Sequence, residues 1–222
     1  MFDLGNTRGH WARVSGGKLV RPGPIDYPAL FHLRLDLPAV YASVNPKVDA
    51  RFDRRFHARR MGRDFPAAIR NRAKRPEKVG MDRLANAAAA WARVKGPCVA
   101  IDVGTAVTFD VVNGRGEFVG GMIAPGPSLQ ARSLHEHTAL LPDVEVRAAR
   151  RAIGRLTEEA IEAGVHLGLV GLVKEGLARI GRELGARPRS LATGGGGVLV
   201  RDEVDEVADW LTLEGIALSA GA

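Results

Sequence analysis

Short apolar runs alternate with stretches of helical periodicity along the chain, a pattern that predicts an α/β protein. A strand is expected around Trp11 to Val14, a turn at Gly16-Gly17, and a returning strand through Leu19 and Val20. Ala39 to Val44 reads as a further buried strand. The stretch from Arg51 onward reads as helical until it is broken near Pro66 and again near Pro76. Leu84-Ala-Asn-Ala-Ala-Ala-Ala-Trp-Ala-Arg is a run of small helix formers, which sets Asp82 at or near a helix N-terminus.

A second strand-turn-strand begins at Cys98. Its apolar strand ends at Asp102, the turn is Val103-Gly-Thr-Ala, and Val107 to Val112 is the returning strand, with Asn113-Gly114 announcing another hairpin. Phe118 to Gly126 then leads into a helix from about Ser128 to Thr138. A long amphipathic helix is expected from Thr157 to about Leu184, and a short strand from Ser190 to Thr193 empties into Gly194 to Gly197. Leu211 to Ala222 reads as a closing helix. Asp3-Leu-Gly-Asn-Thr and Asp102-Val-Gly-Thr-Ala are two copies of one motif, each opening its own half of the chain. That recurrence predicts two similar α/β lobes, 1–95 and 96–222, facing each other across a cleft.

At 222 residues each lobe can bury its own core, and a hydrophobic share of 45% excludes a disordered chain. The formal charge of +7 raises the possibility of a nucleic-acid partner, but the excess is local. Arg51 to Lys78 holds 11 Lys or Arg against 3 Asp or Glu, which accounts for all of it. Such a segment suits a solvated helix face or a guide for anionic substrates better than a nucleic-acid site; its aromatics, Phe52, Phe56 and Phe65, are spaced as core anchors. Cys98, the single cysteine, cannot form an intrachain disulfide and is expected to be buried. No run approaches the roughly 18 apolar residues of a membrane span. The opening Met-Phe-Asp is unlike a signal peptide, so a cytoplasmic protein with no membrane partner is expected.

Paired Asp-x-Gly turns suit phosphate. Phosphoryl transfer asks for backbone amides around phosphates, a metal ion to neutralise charge, and an in-line acceptor hydroxyl. Gly5 and Gly104 are expected to let the backbone turn back tightly, exposing amides and hydroxyls to an anion. Asp3 and Asp102, each at a strand end, can hold Mg²⁺ directly or through water. The competing reading is that each aspartate caps its own turn. Gly194 to Gly197 permits close approach of a nucleotide or is a flexible loop.

In this order, Asp3-x-Gly-Asn-Thr, Gly80-x-Asp-Arg83, Asp102-x-Gly-Thr-Ala-x-Thr-x-Asp110, Gly120-Gly-x-Ile-x-Pro-Gly126, Thr138-Ala-x-Leu-Pro142 and Thr193-Gly-Gly resemble the type III pantothenate kinases. The resemblance covers most of the chain and implies the actin-like, ribonuclease-H-like fold. It further implies ATP-dependent phosphorylation of pantothenate to 4′-phosphopantothenate, the first step of coenzyme A biosynthesis. By resemblance Asp82 is the catalytic base, and Gly80, Met81, Arg83 and Thr157 belong to the substrate pocket. The resemblance further implies that Asp3, Gly5, Asn6, Thr7, Asp102, Gly104, Thr105, Thr193, Gly194 and Gly195 hold ATP and its Mg²⁺. By the same resemblance, Asp110 would take a monovalent cation, K⁺ or NH₄⁺, close to the interface of a homodimer. A helix N-terminus favours an ionised carboxylate, so Asp82 is expected to be a weak base, with positioning carrying most of the catalysis.

The chain departs from the family pattern in three places. Only Met1 and Phe2 precede Asp3 where the family has a full apolar strand, which implies a shortened strand or a start upstream. Arg8-Gly-His-Trp is an unusual continuation of the first turn, and Ala73 stands where an aromatic residue is common. These departures keep two alternatives open: a relative acting as a binding or transcriptional accessory protein, and a kinase for another small hydroxyl compound. His135 and His137, two apart on a helix, cannot chelate together easily. His10, His57 and His166 read as isolated.

Overall fold

The computed structural model describes residues 1–221; Ala222, the last residue of the expected closing helix, lies outside them. The strands are β1 (Phe2–Leu4), β2 (Gly9–Ser15), β3 (Lys18–Ile25), β4 (Val40–Ser43), β5 (Arg59–Arg60), β6 (Arg70–Asn71), β7 (Cys98–Val103), β8 (Ala106–Val112), β9 (Glu117–Pro125), β10 (Arg189–Thr193) and β11 (Glu206–Val207). The helices are α1 (Tyr27–Leu30), α2 (Pro46–Phe56), α3 (Met81–Val94), α4 (Pro127–His137), α5 (Thr157–Leu184) and α6 (Leu211–Ala220). One sheet has the order β3-β2-β1-β4-β5 and the other β11-β10-β7-β8-β9-β6. The fold is α/β, as the alternating pattern predicts. Contacts divide the chain into two compact units, the first of residues 1–95, 112–120 and 210–222, the second of 96–111 and 121–209.

In the first unit, β1 is short yet central. It pairs antiparallel with β2 and parallel with β4, so its three residues are hydrogen-bonded on both sides. Gly16 and Gly17, at φ of 57° and 73°, close the β2–β3 hairpin in the left-handed conformation that such a two-residue turn demands. Phe2, Leu4, Leu30, Tyr41, Val48 and Phe52 form the core beneath the sheet.

The helix expected from Arg51 onward is α2, which starts earlier, behind Pro46, and stops at His57, a left-handed C-cap at φ 49°. Beyond it the chain to residue 79 is mostly irregular, and its charges explain why. Arg60 pairs with the buried Asp49, Arg63 with Asp53 and Asp64, and Arg72 with Glu117. Arg59 lies over the ring of Phe65. Much of the basic segment is therefore spent on internal pairs rather than on one helical face.

Alanines pack α3 against α6. Leu84 to Ala90 are all buried. A Cβ on Gly215 would stand 1.9 Å from the Ala85 carbonyl oxygen, so only glycine allows this approach. The Thr212 hydroxyl donates to Asn86 Oδ1 at 2.8 Å, and Arg93 Nε donates to Glu214 at 2.9 Å.

In the second unit, Val99, Ile101, Val107, Phe109, Leu169 and Val173 form the core between strands and α5. β10 pairs parallel with β7, setting Thr193 beside Asp102. Burial pushes the Cys98 thiol up to about 12, so it is a packing residue. Among the described residues no helix is long and apolar enough to cross a membrane.

Candidate active site

The first Asp-x-Gly turn is built by strand pairing. Asp3 lies within β1 rather than at its end, opposite His10 on β2 and beside Ala42 on β4. His10 is therefore not isolated: its Nδ1 is 3.3 Å from Asp3 Oδ2, and its ring meets the Trp210 indole edge-on at 5.9 Å. In this hairpin Leu4 faces Gly9, so residues seven apart, Asp3 and His10, also face each other; the strand register around the turn is the signal that links them. Asn6, Thr7 and Arg8 are exposed at the tip of the turn. Gly5 does not have a positive φ. Its role is steric, because a Cβ there would sit 3.0 Å from the Arg8 carbonyl oxygen. Its own carbonyl accepts hydrogen bonds from the Tyr27 hydroxyl and, at 3.4 Å, from Asn45 Nδ2. Neither Tyr27 nor Asn45 falls in a motif, so nothing in the sequence marks them.

Asp82 occupies the first turn of α3, as its place before the alanine run predicts. Its Oδ1 accepts the Arg83 backbone N–H at 2.8 Å. Gly80 provides the room: a Cβ there would fall 2.4 Å from Asp82 Oδ1. The expectation of a weak base is corrected by the surroundings. Burial pushes the Asp82 carboxyl above the usual aspartate range and the negative charge of Asp3 adds to the rise, against the lowering pull of the Arg83 amide. Desolvation thus outweighs the helix terminus, and Asp82 is a better proton acceptor than an exposed aspartate. Beside it, the Arg83 guanidinium lies over the Phe118 ring at 5.5 Å, and the Met81 thioether packs on the left-handed Gly62.

The second Asp-x-Gly turn is held differently. Asp102 is the penultimate residue of β7, and the Gly104 N–H donates to the Ala106 carbonyl at 3.0 Å. Contrary to the reading that Gly104 is needed for a tight reversal, its φ is not positive and a Cβ would meet nothing closer than 3.7 Å. The glycines that matter sterically come from elsewhere. A Cβ on Gly126 would lie 2.0 Å from the Gly104 carbonyl oxygen, and one on Gly194, at φ 80°, would lie 2.3 Å from Asp102 Oδ1. Gly196 presses on Val103 in the same way. Gly195 meets nothing, and Thr105 is exposed in the turn. The Gly194–Gly197 run is thus no slack loop: Gly194 and Gly196 fit against the turn, and Gly197 opens a 3₁₀ helix.

Asp110 is fully buried within β8, where the Thr108 hydroxyl donates to its Oδ2 at 3.2 Å. Thr157 is the exposed first residue of α5, on the rim of a cavity of about 410 Å³ between α4 and α5 that Leu134, Leu141 and Ile161 also line. No group of three or more His, Cys, Asp or Glu among the described residues could hold a metal ion. His166 bridges the Ala149 amide and the Leu199 carbonyl, a structural role.

The model of the family described as type III pantothenate kinase matches residues 1–179. The type III pantothenate kinase of Persephonella marina is 33% identical across 97% of this chain and 95% of that one. That of Akkermansia muciniphila is 45% identical, the match covering 66% of this chain and 62% of the relative. Among solved structures, a Baf family transcriptional activator from Campylobacter jejuni superposes with a TM-score of 0.71 at 17% identity, covering 99% of this chain and 96% of that one. A ROK family glucokinase from Streptomyces griseus, in complex with glucose and AMPPNP, gives 0.57 at 13% identity over 100% and 98% of the two chains. At these identities the likeness is one of fold, that of the actin-like and sugar-kinase α/β proteins.

Proposed function

The chain belongs to the type III pantothenate kinase family, and from that premise we propose that it transfers the γ-phosphoryl group of ATP to the 4′-hydroxyl of pantothenate, releasing ADP. The observation that carries this reading is the half-buried carboxylate of Asp82, raised in proton affinity and given space by Gly80. The pantothenate hydroxyl oxygen forms the new bond to the γ-phosphorus as the bond to the β,γ-bridging oxygen breaks. Asp82 accepts the hydroxyl proton. In a loose transition state the proton leaves late, so a correctly placed carboxylate suffices. Arg83, steadied over Phe118, supplies a cation suited to the carboxylate of pantothenate; Gly80, Met81 and Thr157 complete the residues assigned to substrate.

The turn of each unit is assigned to phosphate: Gly5, Asn6 and Thr7 in the first, and Gly104, Thr105, Thr193, Gly194 and Gly195 in the second. The glycine-lined approach to Asp102 supports that assignment, since a side chain at Gly194 would fill it. Asp3 and Asp102 are the carboxylates that would hold Mg²⁺ through water, and Mg²⁺ would neutralise charge on the phosphates. Asp110, a buried carboxylate, is assigned to K⁺ or NH₄⁺. A homodimer is assigned on membership of the family, and the connection between α4 and α5 exposes apolar side chains that a second copy would cover, Leu140 (92%), Ile153 (82%) and Leu156 (63%).

The test is ADP release from MgATP with and without pantothenate, in K⁺, NH₄⁺ and Na⁺ buffers, repeated with Asp82→Ala. Pantothenate-dependent turnover that needs K⁺ or NH₄⁺ and vanishes in the variant supports the reading. Folded protein with no turnover in any buffer sinks it.

A further inference from the structure

His10 is an ionisable side chain beside the first turn to which no role has yet been given. It is the direct antiparallel partner of Asp3, with Nδ1 3.3 Å from Asp3 Oδ2. The imidazole is in turn held by the Trp210 indole, ring centroids 5.9 Å apart at 66°. Asp3 is the more enclosed of the two side chains, 13% exposed against 34% for His10. A contact of this length between partly exposed groups contributes little to stability. It does remove rotational freedom from the carboxylate, and a carboxylate that must meet a metal-phosphate group gains from a fixed orientation.

We propose that His10 is a positioning residue for the first phosphate turn: with the proton on Nδ1 it donates to Asp3 Oδ2 and fixes the carboxylate rotamer, while Trp210 fixes the ring. What the turn does rests on the kinase reading above; the contact itself does not. His10 meets Asp3, in the turn assigned to phosphate, so its effect is expected on ATP and its metal rather than on pantothenate. The unusual Arg8-Gly-His-Trp sequence after the turn thereby acquires a reason.

Two substitutions separate orientation from packing. His10→Phe keeps an aromatic ring on Trp210 and removes the donor. His10→Asn loses the ring and returns an N–H close to where Nδ1 stood. Each is measured for kcat, for KM of pantothenate, for melting temperature, and by calorimetry for binding of a non-hydrolysable ATP analogue with Mg²⁺ and with EDTA.

His10→Phe is expected to lower kcat about tenfold, the loss of one charge-assisted hydrogen bond, with KM for pantothenate within about twofold. The same variant is expected to shrink the gain in analogue affinity that Mg²⁺ provides by about tenfold. His10→Asn is expected to recover most of both losses. His10→Phe behaving as wild type, or both variants failing equally in step with a lower melting temperature, overturns the proposal. Should the wild-type chain turn over no pantothenate, the calorimetric comparison still decides the role of His10, and the failure falls on the kinase reading alone.

Discussion

The two Asp-x-Gly turns share a sequence and differ in how they are held. Around Asp3 the support is polar: His10 on the carboxylate, Tyr27 and Asn45 on the Gly5 carbonyl, with the tip of the turn exposed. Around Asp102 it is steric, with Gly126, Gly194 and Gly196 bringing backbone against backbone. A hydrogen-bonded turn can lose one partner and relax, whereas a close-packed one has no space into which to relax. The same motif therefore fails in different ways in the two units.

The largest effect expected concerns the chemistry, which the proposal ties to the side of the first turn. Asp82→Asn should lower kcat by about 10²- to 10⁴-fold, the usual weight of a general base. It should also stabilise the fold at neutral pH. Burial raises the folded-state pKa of Asp82 above its unfolded value. Stability from this group is therefore full below the unfolded pKa and lost as pH rises through the folded one. The gain of the variant in a melting series should disappear toward the ordinary aspartate range. A variant no more stable than wild type at pH 7 would contradict the burial argument. For the wild type, kcat/KM should rise with pH along an acid limb lying above that of an ordinary aspartate.

Next comes the second turn. Gly126→Ala would set a methyl 2.0 Å from a carbonyl oxygen, and is expected to cost about 3 kcal/mol or more by chemical denaturation; a loss under about 1 kcal/mol would show that this turn is looser than described. Gly80→Ala displaces Asp82 rather than backbone, and should lower kcat about tenfold with a smaller loss of stability. Tyr27→Phe removes one donor to the Gly5 carbonyl, leaves Asn45 in place, and should cost about 1 kcal/mol. Gly104→Ala, despite lying inside the motif, should stay within about 0.5 kcal/mol of wild type, because neither φ nor space demands glycine there. If Gly104→Ala proves as costly as Gly126→Ala, the contrast between the turns collapses.

Local pattern made much of this legible. Gly16-Gly17 between alternating strands, the alanine run after Asp82, and Thr157 to Leu184 each reach the structure within a residue or two, because each is specified by its own turn or helix chemistry. Arg51 to Phe56 is helical as read, but from His57 to Val79 the chain is mostly irregular: its arginines are good helix formers, yet tertiary pairs with Asp49, Asp53, Asp64 and Glu117 decide its path. In the candidate site, the aspartates stood out through repetition. Tyr27 and Asn45, which steady the first of them, did not, since they reach the turn only through the fold. The proton affinity of Asp82 was invisible for the same reason: a helix N-terminus can be read from sequence, but burial is a property of what packs above it.

The packing of α6 on α3 has a consequence in time. Thr212 and its partner Asn86 are 126 residues apart. A ribosome adding about 5–20 residues per second needs roughly 6–25 s to travel between them. Throughout that interval the nascent chain carries α3 and its alanine face without the helix that closes over it, while the second unit is being synthesised. The scaffold beneath Asp82 is thus completed only after the second unit has been translated, and its maturation is paced by elongation rather than by the chemistry of the turn beside it.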